Sequence, residues 1–174
     1  MDDIIEKAYQ YFRNYSIIGR AHYIAWEKAA RRNNWLGIPV VITTTIVGTA
    51  IFGTLQESPG IAWKITAGLL SLLAAVLSAL QTTLKYSELA EKHKAAGAKY
   101  AALRRRLDIF LLKHRGESED SRRIALEEFE EIATELAKLA DESPSIPDKV
   151  YDQAAREYDK EDRTAANLAI KENA

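Results

Sequence analysis

The stretch WLGIPVVITTTIVGTAIFGTL (Trp35–Leu55), then QESPG (Gln56–Gly60), then IAWKITAGLLSLLAAVLSALQTTL (Ile61–Leu84), decides the fold. The first segment carries no charge, and the only charge in the second is Lys64, near its start. A helix needs about 20 apolar residues to cross a hydrocarbon core of roughly 30 Å. Both segments reach that length and a short turn joins them, so the sequence predicts a transmembrane hairpin. A helical hairpin buried in a soluble bundle would carry a polar stripe on its outer face. Here that stripe is reduced to Thr and Ser.

Working outward, the charges give the expected orientation. Arg20, Lys28, Arg31 and Arg32 precede the first segment, and Lys85, Lys92, Lys94 and Lys99 follow the second. The turn has none, and Lys64, about one turn into its segment, can snorkel to the far headgroups. The excess of Lys and Arg therefore places both termini in the cytoplasm. The net charge of −1 hides an asymmetry: residues 1–115 sum to +8 and residues 116–174 to −9. A basic membrane-side half and an acidic distal half follow. With no cysteine, disulfides, thiol nucleophiles and cysteine metal sites are excluded. The charged, amphipathic first 30 residues do not read as a signal peptide.

The flanks read as helices. In Asp2–Arg32, the row Ile4, Ala8, Tyr11, Tyr15, Ile18, His22, Ala25 and Ala29 keeps the 3.5-residue period of a coiled-coil seam. Beside it run Ile5, Tyr9, Phe12, Ser16, Gly19, Tyr23, Trp26 and Ala30. No Pro interrupts Ile61–Arg115. One register, from Gly68 through Leu72, Ala75, Ala79, Thr82, Tyr86, Leu89, His93, Ala96, Tyr100, Leu103 and Leu107 to Phe110, predicts an unbroken rod of roughly 80 Å. Its seam residues are small within the membrane, where they permit close approach, and larger beyond it. Gly116 is the expected stop. A third cytoplasmic helix is expected over Ser118–Asp141, with Ala125, Phe129, Ile132, Leu136 and Leu139 as its apolar stripe. Pro147 opens a short helix to about Tyr158, and a polar tail follows. The fold class is an all-α membrane protein: a two-helix hairpin continuous with long cytoplasmic helices that form a bundle. The expected divisions are 1–34 (amphipathic helix), 35–84 (hairpin), 85–158 (bundle) and 159–174 (tail).

Three sets of residues are candidates for function. His22 and His93 lie on seams that antiparallel packing would bring within a few turns. They read as a pair that fixes register or as a pH- or ligand-sensitive gate; His114 reads as exposed. Arg104, Arg105 and Arg106 sit about 30 Å beyond the membrane end, outside a Debye length of the headgroups. They pair with the acidic third cytoplasmic helix, or they bind an anion such as a nucleotide, although no Gly-rich phosphate loop is present. In the spans, Thr45, Thr49, Gly53, Ser71, Ser78 and Thr82 offer a mild polar face, suited to helix packing or to lining a pore of several subunits. No catalytic constellation appears, so neither enzyme activity nor a cofactor or metal is expected.

The helix before the hairpin, the segment NNWLGIPVVITTTIVGT, the stretch KYSELAEKHKAAGAKYAALRRRLDIFL and the segment SPSIPDKVYDQA resemble the SLATT family. These are two-transmembrane effector domains associated with bacterial nucleotide-signalling defence systems. The resemblance implies a bacterial inner-membrane effector that oligomerises to form or gate a pore. A non-conducting adaptor that recruits a cytoplasmic partner is the alternative. The implied partners are lipid, further copies of the chain, and a separate nucleotide-signalling enzyme or sensor, or a nucleotide ligand; nucleic acid is not among them. The sequence shows no fused sensor, so the signal is expected from outside the chain.

Overall fold

A computed structural model describes residues 2–53, 60–114 and 122–172. Five helices follow one another: α1 (Asp2–Gly53), α2 (Ile61–Leu84), α3 (Tyr86–Lys113), α4 (Arg122–Glu142) and α5 (Asp148–Glu172). No strand occurs among the described residues. Most of the turn Gln56–Gly60, the expected stop at Gly116 and the expected helix start at Ser118 lie outside them. The chain divides into two units, one of residues 1–26 with 91–174 and the other of residues 27–90.

The first unit is held by a core on which α1, α3 and α4 converge. Ile4 and Ala8 of α1 meet Tyr100, Leu103, Leu107 and Phe110 of α3 and the α4 stripe. All five expected stripe residues, Ala125, Phe129, Ile132, Leu136 and Leu139, are buried. Their spacing of four, three, four and three keeps them on one side of the helix, and the glutamates take the other. A second, smaller cluster holds α5: Val150 and Ala154 pack on Ile17, Ala21, Ile24 and Ala25 of α1. Ile17, Ala21 and Ile24 form a third α1 row, which neither expected seam contained. Arg13 reaches Asp159 at 2.8 Å and Arg20 reaches Glu157 at 2.9 Å across the same contact.

Helix α5 extends to Glu172 rather than ending near Tyr158. Ala165, Ala166 and Leu168 are strong helix formers with no Pro or Gly among them, and Thr164 ties its hydroxyl to the Lys160 carbonyl at 2.8 Å. The tail read from residue 159 onward is therefore helix as far as 172.

In the second unit, α2 packs against the C-terminal part of α1. No break separates the amphipathic part of α1 from its apolar part, and Pro39 lies inside the helix. Proline has no N–H for the carbonyl four residues earlier; Thr43 in turn donates its hydroxyl to the Pro39 carbonyl at 2.7 Å. The less exposed side of α2 is Ala67, Leu70, Ala74, Leu77 and Gln81. A Cβ at position 37 would come within 3.1 Å of the Gln81 amide nitrogen, so Gly37 lets that side chain lie against α1. Arg32 sits over the Tyr86 ring, 5.7 Å from its centroid.

Two expectations are corrected here. The rod from Ile61 is interrupted at Lys85, which adopts a left-handed conformation (φ 46°, ψ 34°). Its carbonyl then accepts the Leu89 N–H at 3.0 Å, the first bond of α3. The single register is also not buried along its whole length; Leu89, just beyond the break, is still exposed. His93, Ala96, Tyr100, Leu103, Leu107 and Phe110 are buried as expected, but Gly68, Leu72, Ala75, Ala79 and Thr82 are exposed. Within its own unit, α2 turns Ala67, Leu70, Ala74, Leu77 and Gln81 inward instead.

Candidate functional site

The first unit brings His22 of α1 and His93 of α3 together, with their Nδ1 atoms 2.9 Å apart. They are 1% and 3% exposed. Two neutral rings in complementary tautomers satisfy this contact: one Nδ1–H donates and the other Nδ1 accepts. The Tyr100 ring stacks on His22 at 5.3 Å and 18°. Burial, and then the neighbouring His93, hold the His22 pKa down to about 4. Burial lowers His93 as well. The contact requires one particular alignment of α1 against α3.

His114 is not exposed as the sequence suggested. It is 1% exposed, with its ring 4.7 Å from Phe110 and Nε2 3.1 Å from a Glu128 carboxylate oxygen. Lys113 Nζ donates to the same oxygen at 2.7 Å. Hydrogen bonds from Lys113 and then His114 hold the Glu128 carboxyl below its ordinary range. The register read from the sequence ended at Phe110, one turn before this histidine.

The three arginines separate. Arg106 meets the acidic α4, with Nη1 2.6 Å from Glu135 and Nη2 3.7 Å from Glu131. Arg105 is exposed. Arg104 lies over the Phe12 ring at 5.4 Å and lines a cavity that the sequence reading missed. That cavity, about 250 Å³, lies between α1, α3 and α5 and is walled by Tyr15, Tyr23, Tyr100 and Tyr158 with Arg20 and Arg104. Four tyrosines spread over 144 positions of sequence give no local signal; helix packing alone assembles them.

In the second unit, Thr45, Thr49, Ser71, Ser78 and Thr82 are exposed, outside the α1–α2 contact, and α1 ends at Gly53. Thr45 donates to Val41, Thr49 to Thr45, Ser71 to Ala67 and Thr82 to Ser78, each to the carbonyl four residues earlier. Among the described residues, the helical run from Ile61 holds the one stretch long and apolar enough to cross a bilayer, and only 6% of that stretch is buried. No group of three or more His, Asp or Glu among the described residues is placed to hold a metal ion.

The profile of the SMODS and SLOG-associating 2TM effector domain, family 4, matches residues 15–167. The chain belongs to the SLATT family. Comparisons with curated proteins and with solved structures return no match. The matched range of this SLATT domain takes in both histidines of the buried pair, all three arginines, both apolar segments and most of α5. The family description makes it a two-transmembrane effector domain, in agreement with the apolar, exposed α2.

Proposed function

We propose that this SLATT domain is a homo-oligomeric inner-membrane effector that acts in a bacterial conflict response without enzymatic chemistry of its own. Residues 35–55 and 61–84 cross the bilayer as a hairpin with both termini cytoplasmic, and several copies assemble to form or gate a pore. The signal comes from a separate SMODS- or SLOG-containing partner, or from a ligand such partners supply. The observation that carries this reading is the bareness of α2. Of its residues only Ala74 is buried, while Leu69 and Leu72 are each 63% exposed. Water would penalise such a surface by about 25 cal/mol per Å², whereas lipid accepts it. Beside the leucines, the exposed small positions Gly68 and Ala75 suit close approach of a second copy, and the exposed hydroxyls of Ser71, Ser78 and Thr82 offer a mild polar face to a conduit.

The test is induction of the chain with its genomic partners while membrane potential is followed. Depolarisation is expected, and Ser71→Leu or Ser78→Leu should abolish it while the oligomer still forms in detergent. An activated complex that leaves the potential intact sinks the pore reading.

The adaptor reading is favoured by one observation: Ile109 and Leu112 near the end of α3, and Ile124 at the start of α4, are 62%, 67% and 55% exposed. They offer a cytoplasmic partner an apolar contact. A stoichiometric partner retained in pulldown, lost in Leu112→Glu, with membranes intact throughout, would replace the pore reading by this one.

A further inference from the structure

We infer that the cavity between α1, α3 and α5 binds a small planar aromatic anion, a single ring carrying a phosphate or carboxylate. The inference is independent of whether the spans conduct. Size sets the first limit. Drug-sized ligands occupy roughly 300–1,000 Å³, so a cavity of about 250 Å³ admits one ring with its substituent. The walls set the second. Tyr15 and Tyr100 hold their rings within 15° of parallel, with centroids 5.9 Å apart, and Tyr23 and Tyr158 complete the lining. Such faces receive a planar ring in offset or edge contact. Glycine keeps the helices close here: a Cβ at Gly97 would come 3.2 Å from the Tyr23 ring, and one at Gly19 3.2 Å from Tyr100 Cβ.

The polar groups set the charge. Among the described residues, the hydroxyls of Tyr15, Tyr23 and Tyr158 have no hydrogen-bond partner. Arg20 is neutralised by Glu157 at 2.9 Å and Arg106 by Glu135. Arg104 has no carboxylate within ion-pair distance among the described residues. A guanidinium beside phenol donors matches an oxyanion, and charge-assisted hydrogen bonds of this kind are the strong ones. Glu161 also lines the cavity, exposed to water, and opposes an incoming anion.

The full chain in detergent micelles is titrated calorimetrically with 4-nitrophenyl phosphate, with empty micelles subtracted. One site per chain is expected. Inorganic phosphate and 4-nitrophenol, each offering half of the chemistry, should bind at least about tenfold more weakly. Arg104→Gln should weaken binding by about tenfold, the size of one lost charged hydrogen bond. Ala101→Leu, which places a side chain in the cavity, should remove binding, and Glu161→Gln, at an exposed position, should tighten it. Circular dichroism of each variant should match the parent. The inference is overturned by absence of saturable binding, by inorganic phosphate binding as tightly as the ester, or by affinity that Arg104→Gln, Ala101→Leu and Glu161→Gln all leave unchanged.

Discussion

His22 is held without its proton inside the folded chain, and that gives it a pH-dependent contribution to stability. Its folded pKa of about 4 lies below the ordinary 6.5, so between those values the unfolded chain binds more protons than the folded one. Stability from this group is complete above pH 6.5 and is lost as pH falls towards 4. The shift corresponds to something on the order of 3 kcal/mol. Glu128 moves in the same sense, but below its ordinary 4.5, so pH 6.5 to 4.5 isolates the histidines. Over that interval the denaturation midpoint, followed by helical circular dichroism in detergent, should fall for the parent. It should be nearly flat for the double variant His22→Leu, His93→Leu, which removes both partners and leaves neither ring unsatisfied. The sequence placed these two residues on facing seams; the direct Nδ1 contact depends on the stagger of α1 against α3, which periodicity does not specify.

At the scale of the element, Lys85 separates two helices that one periodic pattern had joined. An L-residue in the left-handed region costs roughly 1–2 kcal/mol. Lys85→Gly should therefore be neutral or raise the unfolding midpoint slightly. Lys85→Val, β-branched at a positive φ, should cost about 1 kcal/mol or more of stability and lower the midpoint accordingly, as measured by denaturation in mixed micelles. A midpoint that ignores both changes would mean that α2 runs into α3 without the break. Sequence periodicity was a sound guide where water drives burial: the α4 stripe and the His93–Phe110 side of α3 came out as read. It failed in α2, where nearly every residue is apolar and hydrophobicity has no contrast from which to choose a side. There the choice fell to shape, through Ala67, Ala74 and the room that Gly37 leaves for Gln81. The third row of α1 was missed for a related reason. Ala21 and the adjacent Ile17 and Ile18 are consistent with several stripes, and only the position of α5 makes Ile17, Ala21 and Ile24 an inner face.

The molecule as a whole is built of one unit with its own apolar cores and another that leaves its apolar side chains bare. The unit of residues 1–26 and 91–174 buries aromatic and leucine side chains around Phe110 and Leu136. The unit of residues 27–90 exposes Trp35, Ile38, Val41, Ile42 and Ile46 on α1. The chain should therefore remain in the membrane pellet after an alkaline carbonate wash and aggregate when detergent is withdrawn. Release into the soluble fraction would contradict residence in lipid. The bare apolar segments were legible from composition, because the contrast between charged flanks and uncharged segments is the largest signal in the sequence. The tyrosine cavity was not legible, since it depends on three helices meeting at residues with no shared motif.

The hydroxyls of the apolar helices have a further consequence. Thr45, Thr49, Ser71 and Thr82 each donate their single proton to their own helix, so what they offer outward is oxygen lone pairs without a hydrogen to give. A conduit lined by them would be a wall of acceptors, able to stand in for water around a cation but not around an anion. In the assembly proposed above, current should carry potassium or sodium far better than chloride. A reversal potential measured across a salt gradient in planar bilayers should lie towards the cation equilibrium value.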